Sequence, residues 1–238
     1  MGLSIGVNPA ALTAQRQVQA TTQALLRNYQ QLASGQRINR AADDAAGLAI
    51  AEALRSDVRQ YTQEVQNLQS GVSASQTADG ALEAQGDAVQ RLRELAVQAS
   101  NGTLTDDQRS ALNDEAQQLL EQIDSTGANA EYNGTKLLDG SESSVPLGTD
   151  GGDELAVRES TASSLGIDGV DLSTQAGAAD ALGKLDSALN DINGNRASLG
   201  AQQSSFESAI DVREISTINA ADAESRIRDA DVARLAIE

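Results

Sequence analysis

Carboxylates are the most numerous side chains in this sequence that could act as a general acid or base. The 238-residue chain contains neither His nor Cys, so the commonest general base, the thiolate nucleophile and the usual zinc ligands are missing. The adjacent pairs Asp43–Asp44 and Asp106–Asp107 could in principle support acid–base chemistry. Sequence neighbours point about 100° apart on a helix, however, and acidic residues gather at helix N-termini for electrostatic reasons alone. We therefore expect no enzyme activity, no cofactor and no bound metal.

Two further patterns also have plain structural interpretations. The segment GTDGGDE, residues 148–154, spaces its carboxylates loosely but lacks the register and the terminal bidentate Glu of a calcium loop. The Asn-Gly-Thr triplets at Asn101 and Asn133 match the N-glycosylation pattern, yet Asn-Gly is also a strong turn signal. We interpret the first pattern as a polar linker and both triplets as turns.

The charge of the chain argues against nucleic acid as a partner. The formal net charge is −18, and only Lys136 and Lys184 are lysines among the 17 basic residues. A polyanion is repelled by such a chain, and no basic run offers it a binding surface. No apolar run approaches the roughly 18 residues of a membrane span, and the N-terminus lacks the pattern of a cleaved secretory signal. We expect neither nucleic acid nor membrane as a partner.

The apolar composition favours closely packed helices. With one Phe, three Tyr and no Trp, the core must be built from Ala, Leu, Ile and Val, which suits helices that approach one another closely. Asn8 followed by Pro9 predicts a helix start, and a stripe of apolar side chains leads from there to an end at Gly35. The stripe consists of Leu12, Val18, Leu25, Tyr29 and Leu32.

Apolar positions spaced three and four residues apart predict a long second helix over about 43–100. Asn101–Gly102 is expected to end it with a left-handed residue, and Thr105 to Gln108 forms a capping box that opens a third helix over about 105–127, with Gly127 at its exit. Residues 128–177 are predicted to form a β and loop region with a hairpin at Asn133–Gly134 and a short strand in ELAVRES. A fourth, long helix is predicted over about 178–234.

These elements predict a mainly α fold, an elongated antiparallel long-helix bundle of coiled-coil-like character with a small β-hairpin region. Heptads alone do not define a function, because coiled-coil adhesins, tethers and filament subunits share them.

Six ordered motifs narrow the choice. The segment SGQRINRAADDAAGLAI, residues 34–50, resembles the N-terminal signature of bacterial flagellin. The other segments that are similar to flagellin follow in the order of that family and span nearly the whole chain. They are SQTADGALEA, QRLRELAVQASNGT, EYNGTKLLDG, NRASLGAQQSSFES and AESRIRDADVA.

The resemblance implies a secreted subunit that is exported by the flagellar type III route and polymerises with other flagellin subunits into the extracellular filament. Residues 1–43 would be the N-terminal filament-core segment and residues 44–235 the helical bundle domain, in a compact form without the outer variable domains. Flagellins continue into a C-terminal helix that pairs with residues 8–34, and this chain ends before it at Glu238. Two alternatives remain open: a hook–filament junction protein of the same family, or a truncated flagellin that does not polymerise.

The opening motif carries a charged junction. Arg37, Arg40, Asp43 and Asp44 offer both signs of charge between small residues that allow helices to approach closely. The resemblance implies that they lie at a junction between subdomains and between neighbouring subunits. The alternative is a capped helix start with a solvated charge cluster.

The resemblance also implies a host partner, because flagellins are ligands of the innate immune receptor Toll-like receptor 5. Arg91 and Leu95 fall on the family's receptor-contacting positions, Gln90 and Glu94 lie beside them, and Glu115 matches an acidic contact position. Residues four apart share a helix face, so Arg91 and Leu95 are expected together on the outer surface, with Leu92 and Ala96 turned inward. The alternative is a solvated helical charge pair between Arg91 and Glu94.

Overall fold

The fold is mainly α-helical. The computed structural model describes residues 9–141, 143–148 and 153–235. The helices are α1 (Pro9–Ser34), α2 (Ala45–Ala99), α3 (Asp106–Asn129), α4 (Gln175–Arg228) and the single turn α5 (Val232–Leu235). The expected N-cap residue Asn8 and residues 149–152 of the acidic linker lie outside the described residues.

The described residues divide into two compact units. Unit 1 comprises residues 9–62 and 214–235, and unit 2 comprises the described residues within 63–213. This division falls inside α2 and α4, whereas the predicted domain boundary lies at residue 43.

Unit 2 is built around parts of α2 and α4 that run antiparallel. Three ion pairs show the direction, because residues further along α2 pair with residues nearer the start of α4. These pairs are Glu64–Arg213, Asp79–Arg196 and Arg93–Asp186, with N···O distances of 2.7, 2.8 and 2.7 Å. The core between α2, α3 and α4 is made mostly of Ala and Leu. Side chains such as Ala78, Leu82, Leu92, Leu120 and Leu185 are buried there, so the predicted close packing of small and aliphatic residues is confirmed.

The turn between α2 and α3 confirms one prediction and corrects another. The capping box is present: the Gln108 N–H donates to Thr105 Oγ1 at 3.3 Å, and the Thr105 N–H donates to Gln108 Oε1 at 3.0 Å. The prediction that a left-handed residue follows α2 is wrong, because neither Asn101 nor Gly102 has a positive φ. Instead, Asn101 Oδ1 accepts hydrogen bonds from Thr103, and this side-chain turn ends the helix.

Gly127 was expected to end α3, and this expectation is wrong. The helix continues to Asn129, and Gly127 lies inside it as a buried residue. A Cβ on Gly127 would lie 2.6 Å from the carbonyl oxygen of Ser160. Gly is needed here because the 160 segment approaches the helix backbone closely.

Two antiparallel hairpins form the small β region. Strand β1 (Glu131–Tyr132) pairs with β2 (Thr135–Lys136), and β3 (Ser144–Pro146) pairs with β4 (Glu154–Ala156). The predicted turn at Asn133–Gly134 is confirmed, because both residues have positive φ, 51° and 83°, as a two-residue hairpin requires. The predicted strand in ELAVRES is β4.

Unit 1 contains a helix with no buried residue. All side chains of α1 are exposed or partly exposed, including the predicted apolar stripe; Tyr29, for example, is 62% exposed. Gly35, with φ of 69°, ends α1 as predicted.

The end of α4 differs from the predicted end near residue 234. The helix stops at Arg228, because the following backbone pairs with the segment after α1. The Arg37 N–H donates to the Arg228 carbonyl at 2.6 Å, and the Ala230 N–H donates to the Gly35 carbonyl at 3.0 Å. Across the ranges that the structure describes, none of the helices is both long and apolar enough to cross a membrane.

Candidate functional site

A surface charge cluster joins α2 to α3. The guanidinium of Arg91 lies between two carboxylates: its Nη1 donates to Glu94 Oε2 at 2.9 Å, and its Nη2 and Nε donate to Glu115 Oε1 at 2.8 and 3.1 Å. We call these three residues the Arg91 cluster. The Arg91 side chain is 51% exposed, and both carboxylates are also accessible to solvent.

The electrostatics of this cluster are those of a surface ion pair network. Hydrogen bonding to Glu115, followed by that to Glu94, raises the pKa of the Arg91 guanidinium above its ordinary value. The guanidinium is therefore positively charged at any physiological pH. Its two carboxylate partners fix its orientation, because each engages a different edge of the planar group.

Four of the five residues that sequence reasoning assigned to a receptor surface are brought together at the surface, three of them exposed and Glu115 partly exposed, and the fifth is buried. Gln90 is exposed beside the Arg91 cluster, but Leu95 is only 1% exposed. The expectation that Leu95 lies on the outer surface is therefore wrong. Both α3 and α4 pack against this part of α2, so its buried arc is wider than a two-position heptad seam and includes residue 95.

The arginine–aspartate loop, residues 35–44, lies in unit 1 and is organised by its two aspartates. Asp43 Oδ2 accepts hydrogen bonds from the N–H groups of Asn39 and Arg40, at 3.2 and 3.0 Å. Asp44 Oδ1 accepts from the Gly47 N–H at 2.8 Å, which makes Asp44 the N-cap of α2. Both aspartates therefore stabilise the local backbone, in agreement with the alternative interpretation of the motif as a capped helix start.

The two arginines of the loop differ. Arg37 Nη2 donates to the carbonyl of Ile227 at 2.6 Å, so its side chain anchors the loop to the end of α4. Arg40 is exposed, and its guanidinium contacts no carboxylate among the residues that the structure describes.

The sequence did not indicate two residues that hold the arginine–aspartate loop in place. Arg228 lies beside the loop, with its side chain 12% exposed, and its Nη1 donates to Glu52 Oε1 at 3.0 Å. Ile38 is fully buried, and its Cδ1 would clash with a side chain at Gly47. Gly47 belongs to the AADDAAGLAI motif, whose small residues did indicate close packing.

Long helices packed against one another, with charged clusters on their exposed surfaces, define a mainly α-helical protein of coiled-coil-like character. Residues 5–143 match the bacterial flagellin N-terminal helical region, and residues 182–237 match the bacterial flagellin C-terminal helical region. The chain belongs to the bacterial flagellin family, which is a family of structural proteins.

Curated relatives are similar in sequence to this chain over most of its length. A flagellin of Halalkalibacterium halodurans is 38% identical over 98% of this chain and 88% of its own length. A flagellar filament 30.7 kDa core protein of Treponema maltophilum is 34% identical over 96% of this chain and 87% of its own length.

Solved structures share the fold. A Bacillus cereus flagellin crystal structure is similar with a TM-score of 0.55 and 28% identity, over 62% of this chain and 88% of that chain. A putative flagellar hook-associated protein of Vibrio parahaemolyticus has a TM-score of 0.65 at 15% identity, over 79% of this chain and all of its own, and therefore shows the fold alone.

Proposed function

We propose that this chain is a structural subunit of the extracellular flagellar filament and polymerises with other flagellin subunits. One observation supports the proposal most directly: α1 carries a row of exposed apolar side chains and buries none of its residues. The sequence of such a helix gives it little stability on its own in water, so it needs an apolar partner surface to be stable. Contacts between subunits would supply that surface.

The test is polymerisation of labelled chain, alone and with short filament fragments as seeds, followed by sedimentation and electron microscopy. Filaments, or label incorporated along the seeds, are expected. Leu25→Asp places a charge on the exposed apolar stripe and should abolish assembly. Gln23→Asp, on a polar position of the same helix, is the matched control and should assemble.

Two results separate this function from its alternatives, and a third tests the role of the α1 stripe. A wild-type chain that stays monomeric even with seeds would contradict the filament function and favour the truncated, non-polymerising flagellin. Short caps at filament ends, without incorporation along the filament, would favour a hook–filament junction protein. Equal assembly of the two variants would remove the α1 stripe from the subunit interface.

Secretion by the flagellar type III route is part of the same proposal and rests on family membership. Filament subunits act outside the cell, so a subunit of this family requires a route of export. Culture supernatants of flagellated bacteria with and without a working flagellar export gate, both expressing this chain, would test the route. The chain is expected only in the supernatant of the intact strain, and equal secretion by both would overturn it.

We further propose that the Arg91 cluster, with Gln90, forms part of a surface recognised by Toll-like receptor 5. The support is the resemblance of this segment together with the exposure of Gln90, Arg91 and Glu94. Glu115, on the adjacent helix, is partly exposed beside them. Exposed arginine is a frequent interface anchor. The role of the buried Leu95 is then to pack the helix that presents these groups, and it makes no direct contact.

Arg91→Ala is expected to weaken receptor binding about ten- to a hundredfold, a typical range for an interface anchor. Arg93→Ala is the matched control, because Arg93 is similarly exposed and likewise paired, with Asp186. Binding of the purified receptor ectodomain and helicity should be measured for both variants. Unchanged affinity for Arg91→Ala, or an equal loss for both variants, would remove Arg91 from the surface.

A further inference from the structure

The chain contains three sites at which its backbone could react with its own side chain. In an Asn-Gly pair, the Gly backbone nitrogen can attack the Asn side-chain carbonyl carbon, because Gly has no Cβ to hinder the approach. The pairs are Asn101–Gly102, Asn133–Gly134 and Asn193–Gly194. They lie in three different environments, so they allow a comparison within one molecule.

Asn193–Gly194 is the protected site. Both residues lie inside α4, where each backbone N–H donates to a carbonyl one turn earlier. The attack needs the Gly194 nitrogen to leave this ladder and the backbone to rotate. The helix must therefore open before the reaction can start.

Asn133–Gly134 is exposed, but its backbone is fixed by the hairpin. Both residues are held at positive φ between the paired residues Tyr132 and Thr135. Among the described residues, none donates a hydrogen bond to the Asn133 carboxamide oxygen. No described residue of the protein therefore adds to what solvent supplies for stabilising negative charge on that oxygen.

Asn101–Gly102 is exposed and also has the hydrogen-bond donors that Asn133 lacks. Asn101 Oδ1 accepts a hydrogen bond from the Thr103 N–H at 3.1 Å and another from Thr103 Oγ1 at 3.0 Å. No described residue accepts a hydrogen bond from the Gly102 N–H, so this nitrogen is free. Attack on the carboxamide carbon places negative charge on Oδ1, and two donors at about 3 Å from an oxygen are what stabilises an oxyanion.

We propose that Asn101 is the site of a spontaneous covalent modification of the folded chain, assisted by Thr103. The Gly102 nitrogen gives its proton to solvent and forms a bond to Asn101 Cγ. The bond from Cγ to Nδ2 then breaks, Nδ2 takes up a proton and leaves as ammonia, and a five-membered succinimide remains. Water opens this ring to Asp or isoaspartate, so the net reaction consumes one water and releases one ammonia without any change in oxidation state.

The product changes the turn between α2 and α3. A new carboxylate at position 101 lies just after the C-terminal end of α2, where the helix dipole disfavours negative charge. The isoaspartate form also lengthens the backbone by one carbon. The turn contacts the first residue of α4, since Gln175 Nε2 donates to the Ser100 carbonyl at 3.1 Å, and the modification is expected to loosen this contact.

The test is incubation of the full chain at mildly alkaline pH, with peptide mapping by mass spectrometry to follow the amide-to-acid conversion at each of the three Asn residues. In the folded protein Asn101 is expected to convert several times faster than Asn133 and Asn193. Thr103→Val removes the hydroxyl donor and should slow Asn101 about fivefold, the factor that one exposed neutral hydrogen bond is worth. Thr103→Ser retains the hydroxyl and should preserve the rate.

Circular dichroism must show that both variants fold, and the same incubation in concentrated urea supplies the unfolded reference. The three sites should convert at similar rates in urea, with no effect of the Thr103 variants. Folded protein in which Asn133 converts as fast as Asn101, or in which Thr103→Val and Thr103→Ser react at the same rate, would overturn the proposal.

Discussion

The side-chain amide of Gln202 on α4 pairs with the backbone of Ala156 as a neighbouring strand would. Gln202 Oε1 accepts from the Ala156 N–H at 2.7 Å, and Gln202 Nε2 donates to the Ala156 carbonyl at 3.1 Å. Ala156 lies on β4, whose other edge is paired with β3. One glutamine thus satisfies backbone groups on the free edge of the hairpin and also ties the hairpin to α4.

Gln202→Ala is expected to lower the free energy of unfolding by about 1–3 kcal/mol, because it removes two hydrogen bonds to backbone groups of the hairpin. Amide hydrogen exchange at Ala156 should accelerate. The control is Gln203→Ala, since the Gln203 amide makes only a long contact of 3.5 Å to Glu207. Equal protection of Ala156 in both variants would show that the strand edge does not depend on Gln202.

Gly127→Ala is expected to destabilise the protein by about 1–3 kcal/mol, the usual range for an overpacked buried site. The added Cβ would meet the Ser160 carbonyl oxygen and, at 3.2 Å, the Gln85 amide nitrogen. These groups are already engaged, because Gln85 Nε2 donates to the Ser160 and Ile123 carbonyls at 2.8 and 3.0 Å. Urea unfolding followed by circular dichroism gives the measurement.

The matched control for Gly127→Ala is Gly183→Ala on α4. A Cβ there meets open space, so the substitution should stabilise the protein by roughly 0.5–1 kcal/mol through helix propensity. Opposite signs for the two substitutions are the expected outcome. The same sign for both would mean that close approach of Ser160 is not what requires Gly127.

Arg37→Ala should release the arginine–aspartate loop from the end of α4, because the hydrogen bond from its guanidinium to the Ile227 carbonyl is lost. Exchange of the Ala230 N–H, which donates to the Gly35 carbonyl, is expected to rise about tenfold, as for a loss near 1.4 kcal/mol. Arg40→Ala should leave this exchange unchanged. An equal effect of both would contradict the anchoring role of Arg37.

The stability of the chain should be nearly constant between about pH 6 and pH 9. Without His or Cys, no side-chain type present has a reference pKa in that interval. Hydrogen bonds from Ser141 and Ser173 lower the pKa of the Asp139 and Asp171 carboxyls, respectively.

Because these two pKa values are lower in the folded chain, their contribution is full above the unfolded value near 3.9 and is lost as pH falls through the folded value. Urea midpoints measured across the pH range should therefore be flat at neutral pH and fall below about pH 4. A sloping midpoint between pH 6 and pH 9 would contradict this expectation, because it would show that a group titrating in that interval has different pKa values in the folded and unfolded chain.

Trypsin is expected to cut α1 first, at Arg16 and Arg27. No residue of α1 is buried, so local unfolding of this helix breaks few tertiary contacts and requires little free energy. Arg93 and Arg196 lie in unit 2 and should be cut later. Mass spectrometry of timed digests decides the order, and early cleavage at Arg93 would contradict the stability assigned to unit 2.

Local signals in the sequence predicted local structure well. Pro9, the Thr105 capping box and the Asn133–Gly134 turn each act through neighbours within a few residues, so their outcome does not depend on the rest of the fold. The long apolar repeats predicted α2 and α4 for the same reason. Family motifs then identified the Arg91 segment, in which Gln90, Arg91 and Glu94 are exposed.

Most of the failures involve contacts between distant residues, and the turn after α2, which depends on the local contact between Asn101 and Thr103, is the exception. Leu95 is buried because both α3 and α4 cover this part of α2. The periodicity of the α2 sequence does not show whether residue 95 faces solvent or a second neighbouring helix. Gly127 does not end α3, because its close contact with the Ser160 carbonyl requires a residue without a side chain inside the helix. The end of α4 at Arg228 depends on pairing with Gly35 and Arg37, nearly a whole chain length away.

Contacts between distant residues also determine how quickly unit 2 can fold. Its helices are joined by pairs such as Arg93–Asp186 and Asp79–Arg196, which are 93 and 117 residues apart along the chain. Each such contact closes a large loop, whose entropy must be lost before the contact stabilises anything. We expect α2 and α3 to associate early, and docking of α4 to limit the rate. Refolding should accordingly be slower than in helical bundles of similar length with short-range contacts.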